Sequence, residues 1–222
     1  MTKTSKGLPP IETIETGRRW FRVFWKGVKP TQFSHTKINE PPWRFSPFKD
    51  MRTGELVQAL YMGDAAMAAM AETLFRKDKS GAVLATEVDD RFVCQLRGQR
   101  NFRVAVLSQD FLMGKLGFDP IMTNHYGRCR DVAKLLYHFC QEAIDGLVFP
   151  SYQSSGYNAN LVVFSTRVKP SDFRMVANSK DQVYSDRYRV DFQMAVDASD
   201  RLLSDSLSQK VIAARVVGSE PD

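Results

Sequence analysis

Histidine and cysteine are the scarcest reactive residues in this 222-residue chain, with three of each. The cysteines, Cys94, Cys129 and Cys140, are odd in number and form no C-x-x-C pair. That argues against a disulfide framework and fits a reducing compartment. The histidines fall into no H-E-x-x-H or comparable ligand spacing. His125 and Cys129 could share a helix face, but two isolated side chains near a helix start are the commoner reading, and no metal site is expected. G-x-S-x-G is missing too, and with so little histidine no Ser-His-Asp arrangement is readable. Neither G-x-G-x-x-G nor G-x-x-x-x-G-K-[ST] occurs, so both common phosphate loops are excluded. No run approaches the roughly 18–20 apolar residues that span a bilayer, and the first ten residues lack the apolar core of a secretory signal. A cytoplasmic protein without membrane contact is expected.

What is present is ordinary in amount and uneven in placement. Hydrophobic residues at 43% and charged residues at 25% suit one well-packed domain. The net charge of +6 is concentrated: residues 1–52 hold 11 Lys or Arg against 4 Asp or Glu, the remainder 20 against 21. Such a basic quarter suits a nucleic-acid-binding arm, arginines lining a pocket for a smaller anion, or a solvated face; charge alone does not choose.

Residues 1–17 read as a flexible leader. Arg19 to Trp25 reads as a first strand, rich in aromatics and basic residues. Trp43-Arg44-Phe45-Ser46-Pro47 reads as a short extended piece, because the residue before proline is pushed out of the helical region. Leu56–Met62 reads as a strand. Asp64 then opens a helix as its N-cap, running to about Lys77 with Met67, Met70, Ala71 and Leu74 as its core stripe. Strands are predicted at 82–88, 91–96 and 102–107, a short helix at 109–116, and a longer helix at 128–144 burying Val132, Leu135, Leu136, Phe139 and Ala143. Two apolar strands, 147–150 and 161–164, flank the polar stretch 151–160. Beyond Pro170, residues 171–222 read as an extension packed on the domain, with a strand at 188–196 and a helix-capable segment at 198–209. Strands and helices without regular βαβ alternation predict an α+β domain.

Four polar residues stand where polarity is unexpected. Glu72 is flanked one helical turn away by Ala68, Ala69 and Phe75, which leaves room for a group to approach; a surface pair with Arg76 is the plain alternative. Arg44 lies between two aromatics, where its stem could equally cover apolar surface. Tyr61 ends an apolar strand, where a core aromatic with a wet hydroxyl is common. Ser151 follows a buried strand and could be a plain turn serine.

In order and spacing these segments resemble the RES-domain family over roughly residues 19–168. Trp20-Phe21-Arg22-Val23 is similar to its opening strand, and Trp43-Arg44-Phe45-Ser46-Pro47 to its Gly-Arg-Trp/Phe segment. Leu60-Tyr61-Met62-Gly63 followed by Ala71-Glu72-Thr73 resembles its Leu-Tyr-x-Ala…Ala-x-x-Glu-Thr pattern. Asp145 to Gln153 with Asn160 to Phe164 resembles its Asp-Gly-Ile-x-x-x-Ser-Arg-Gln…Asn-x-Ala-Leu-Phe ending. Pro42 replaces a glycine common before the arginine, and Tyr152 stands where an arginine often follows the serine.

The resemblance implies a single domain, residues 18–170, with an ADP-ribosyltransferase-like mixed sheet core and flanking helices. It implies NAD⁺ as substrate rather than a resident cofactor, and a toxin held inactive by an Xre-type helix-turn-helix antitoxin, through which alone nucleic acid would be met; a homodimer stays open. Breaking the nicotinamide–ribose bond builds positive charge on the sugar, as in glycoside hydrolysis, and Glu72 would stabilise it. Arg44 would hold the pyrophosphate bidentately, Tyr61 would offer a flat face to nicotinamide, and Ser151 would hydrogen-bond nicotinamide or its ribose. Arg22 and Asn160 are further candidates, for phosphate contact and for holding the serine loop. Hydrolysis or phosphorolysis of NAD⁺ leads; ADP-ribosyl transfer to a protein and a basic nucleic-acid-binding module are the alternatives.

Overall fold

The computed structural model describes residues 8–25, 27–34, 43–74, 91–108, 110, 111, 114, 126–140, 143–150 and 159–176. The strands are β1 (Ile11–Ile14), β2 (Arg19–Trp25), β3 (Phe48–Lys49), β4 (Leu56–Val57), β5 (Ala59–Gly63), β6 (Arg91–Gly98), β7 (Phe102–Val106), β8 (Gly146–Pro150), β9 (Ala159–Phe164) and β10 (Phe173–Met175). Two α-helices are described, α1 (Ala66–Leu74) and α2 (Tyr126–Phe139). Eight strands form one sheet in the order β1-β7-β8-β9-β5-β2-β6-β10, while β3 and β4 form a separate hairpin. Within the sheet only β7 and β8 run parallel. This mixed sheet with few helices is the α+β architecture expected from the missing βαβ rhythm.

Strand alternation sorts the core into two layers. Ala105, Leu147, Phe149, Val162 and Phe164 face one side, where Cys129, Val132, Ala133, Leu136 and Tyr137 of α2 cover them. Trp20, Leu60, Met62, Cys94, Leu96, Leu161 and Val163 face the other, together with Phe33. Helix α1 packs on β2, β5 and β9.

A strand expected over Leu56–Met62 is broken at Gln58, whose N–H donates to Ser165 Oγ at 3.0 Å, so β4 serves the hairpin and β5 the sheet. The expected leader is not wholly loose: Ile11–Ile14 pairs with Ile14↔Phe102 register along the β7 edge. At the other edge β10 adds three residues to β6, beyond the expected domain end at 170. Helix α2 starts two residues earlier and ends five earlier than expected. Its buried face is also turned: Leu135 and Phe139 are 51% and 63% exposed, and Cys129, Ala133 and Tyr137 take their place with Val132 and Leu136. Tyr137 tolerates burial because its hydroxyl donates to Asp50 Oδ2 at 3.0 Å and lies 2.9 Å from Thr166 Oγ1.

Asp64 does not cap α1. The helix begins at Ala66, and Asp64 Oδ2 instead accepts from the N–H of Ala159 at 2.9 Å, while Asp64 N–H donates to the Ala159 carbonyl. The residue thereby pins the start of β9 to the turn before the helix. The side chains of Met67, Met70, Ala71 and Leu74, the strand at 82–88, most of 109–116 and the tail segments 188–196 and 198–209 lie outside the described residues.

Asp145-Gly146 is an architectural joint. Asp145 receives both Arg100 nitrogens, at 2.9 and 3.0 Å, and the N–H of Arg103 at 2.9 Å. A Cβ on Gly146 would sit 1.9 Å from the Val162 carbonyl oxygen, so β8 reaches its place beside β9 only with glycine there.

Candidate active site

The chain enters the site from the cradle beneath Arg44. Trp43 and Ser46 form an isolated antiparallel bridge, with Arg44 and Phe45 at the turn between them. Arg44 therefore sits at the tip of a tight turn, where the sequence suggested an extended piece. Phe45 and Ser46 are fully buried, with the Phe45 ring 4.9 Å from that of Phe149. Tyr61 fastens the turn from below: its hydroxyl oxygen accepts from Phe45 N–H at 2.9 Å and lies 3.3 Å from Ser46 Oγ, and its ring is 5.6 Å from that of Trp43.

Across from this turn, α1 comes close to the sheet because Gly63 lets it. A Cβ on Gly63 would meet Ala69 N at 2.6 Å and the Ala68 Cβ at 3.0 Å. The alanines that suggested space around Glu72 in the sequence are the residues that allow this approach. Gly63 pairs with Asn160 across β5 and β9, and Asn160 pairs in turn with Phe149 of β8. Paired residues project to the same side of a sheet, so Asn160, Phe149 and the α1 surface converge.

Between them lies a cleft lined by Val23, Tyr61, Ala69, Glu72, Phe149 and Asn160 among others. Arg44 Nη2 stands 3.9 Å from Glu72 Oε2, with both side chains mostly buried. Arg44 Nη1 is buried with no hydrogen-bond partner among the described residues. Asn160 is 2% exposed, and neither its Oδ1 nor its Nδ2 has a hydrogen-bond partner among the described residues. A buried polar group left unpaired costs about 1–3 kcal/mol, and this side chain, which lines the cleft, carries two.

Four of the six residues singled out from the sequence are thus brought together: Arg44, Tyr61, Glu72 and Asn160. Arg22 is not among them. It follows Trp20 and precedes Phe24 on the sheet face opposite to Val23, and its guanidinium donates to the carbonyls of Pro30 and Gln32 in the covering loop. Burial pulls it down to about 10, and burial pushes the facing Cys94 thiol up to about 12. Arg22 is a strut for the loop over the second core layer, on the face away from the cleft. Ser151 lies outside the described residues; β8, which leads to it, ends at Pro150, one residue after Phe149 of the cleft. The sequence reading missed the Phe149 wall, which its place in an apolar strand marks only as core.

The RES domain family matches residues 18–189. No curated protein matches the chain. Among solved structures, a chain of the M. tuberculosis MbcT–MbcA toxin–antitoxin complex is similar, with TM-score 0.50 and 16% identity over 74% of this chain and 84% of that one. At that identity the likeness concerns the fold. Among the described residues no helix is long and apolar enough to cross a membrane.

Proposed function

The chain belongs to the RES-domain family, and on that premise we propose that it is a toxin-like enzyme that cleaves NAD⁺ at the nicotinamide–ribose bond. The observation that supports this most is the meeting of Arg44 and Glu72. They lie 28 positions apart in the chain, on a turn and a helix, and stand 3.9 Å apart at one cleft. A cation and a carboxylate side by side at an apolar-walled cleft suit a substrate with an anionic pyrophosphate and a sugar that becomes cationic as its bond breaks.

In this reading the C1′–N bond breaks with its electron pair going to the nicotinamide ring, which departs neutral and needs no general acid. Glu72 stabilises the oxocarbenium charge and takes up the proton as water adds its oxygen to C1′. Arg44 holds a pyrophosphate oxygen through charge-assisted hydrogen bonds. Tyr61 and Phe149 offer ring faces to the leaving base, and Ser151, just beyond β8, contacts nicotinamide or its ribose. The nucleophile is water or phosphate; a protein acceptor would make the same chemistry an ADP-ribosyl transfer. By analogy with the toxin–antitoxin complex of similar fold, an antitoxin protein, which the family resemblance implies to be of helix-turn-helix type, is the partner that restrains the enzyme.

Purified protein incubated with NAD⁺ alone should release free nicotinamide. Turnover that appears only on adding an acceptor protein would assign the transfer reaction instead. Glu72→Gln, which keeps side-chain size and removes charge, should lower nicotinamide release about 10²-fold or more while leaving the circular dichroism spectrum unchanged. Wild-type rates in that variant would remove Glu72 from the chemistry.

A further inference from the structure

We infer that the Asn160 side-chain amide is the group by which the cleft selects a carboxamide-bearing pyridine ring over its carboxylate counterpart, which deepens and rests on the NAD⁺ reading above. Asn160 is almost wholly buried on β9, lines the cleft, and leaves both Oδ1 and Nδ2 without hydrogen-bond partners among the described residues. Native interiors rarely leave even one such atom unsatisfied, and each exception calls for an explanation. An amide offers one acceptor and two donor hydrogens. Its complement is another primary amide, whose N–H donates to Oδ1 while its oxygen accepts from Nδ2.

Nicotinamide carries such a group on a flat ring, and the cleft around Asn160 has the matching walls in the aromatic rings of Tyr61 and Phe149. A nicotinate ring would keep the bond from Nδ2 but set a carboxylate oxygen against Oδ1, with the Glu72 carboxylate on the same cleft wall. A site built to pair with a substrate polar group rejects an analogue that cannot answer it.

The test compares kcat/KM for NAD⁺ and for nicotinic acid adenine dinucleotide. Wild type should favour NAD⁺ at least tenfold, and Asn160→Leu should cut that ratio about tenfold or more, the remainder being repulsion from Glu72. Asn160→Ser, which keeps a small polar group but not the paired amide, should move the ratio the same way if the leucine variant does not fold. A ratio unchanged in the variant that folds, with both substrates slowed alike, would show that Asn160 only supports the strand and overturn the inference. Calorimetry on the wild-type chain supplies an arm independent of turnover. Nicotinamide binding more tightly than nicotinate, with the difference lost in the Asn160 variant, supports the assignment; equal affinities overturn it. A wild-type chain that consumes no NAD⁺ yet shows this binding preference would refute the proposed reaction and leave the recognition role standing.

Discussion

Tyr61 serves two masters through two parts of one side chain. Its ring walls the cleft, and its hydroxyl accepts from the N–H of buried Phe45, the residue after Arg44. Tyr61→Phe keeps the wall and removes the acceptor, leaving a buried N–H unpaired at about 1–3 kcal/mol. The expected outcome is a lower melting temperature and a KM for NAD⁺ raised severalfold with kcat less affected, because the loosened turn carries Arg44, the proposed pyrophosphate ligand. Steady-state kinetics alongside a thermal melt would check this; an unchanged KM would detach the turn from substrate binding. Little of this was legible in the sequence. Glu72 could be singled out because its small neighbours are local on a helix, within one turn. Tyr61's partner is a backbone amide 16 positions away, and Arg22's partners are two backbone carbonyls in a loop. No side-chain pattern announces a backbone partner, so Arg22 stood as a further candidate for phosphate behind Arg44.

Helix α1 is positioned by a missing side chain rather than by a contact. Gly63→Ala would press a methyl against backbone nitrogen of Ala69, which cannot rotate away, so the helix itself must move. Overpacking of this kind costs about 1–3 kcal/mol. A displacement near 1 Å at Glu72 can cost on the order of 10² in rate, so activity should fall far more than stability. Thermal melts paired with nicotinamide-release assays would show it; activity lost only in proportion to unfolded protein would contradict it. Elements with strong periodicity were legible: β2, β7, β9 and the existence of α2 follow from their apolar spacing. The edge strands β1 and β10 were not, since four and three residues carry too little pattern to separate them from loop. The face of α2 was misread because large apolar residues were assumed buried, whereas small Cys129 and Ala133 and the hydrogen-bonded Tyr137 fit under the sheet and Leu135 and Phe139 do not.

At the scale of the whole molecule, Asp50 ties three distant parts together. It follows β3, accepts from the Arg52 N–H at 2.8 Å, and receives the hydroxyl of Tyr137, which also meets Thr166 after β9. The Arg52 N–H foremost, then Tyr137, hold the Asp50 carboxyl below its ordinary value against the opposing effect of burial. A depressed carboxyl contributes stability that is present above the ordinary carboxylate range and lost as pH falls through it. Asp50→Asn should therefore melt lower than wild type at neutral pH, with the gap closing as pH drops toward 3; a constant gap across that range would mean the charge is not what stabilises. The α+β class was legible because strands and helices do not alternate regularly. The strand order was not, since it depends on which remote segments meet: β5 pairs with β9 about a hundred positions later, and β8 is inserted between β7 and β9. That insertion has a consequence in time. Arg44, Tyr61 and Glu72 emerge early in synthesis, but the floor of the cleft is Asn160, and no partner for the inner edge of β5 exists until β9 has been made. Pairings so far apart in sequence form slowly. A ribosome translating this chain therefore carries no assembled cleft until β9 has been synthesised, an interval in which the proposed restraining partner could be supplied.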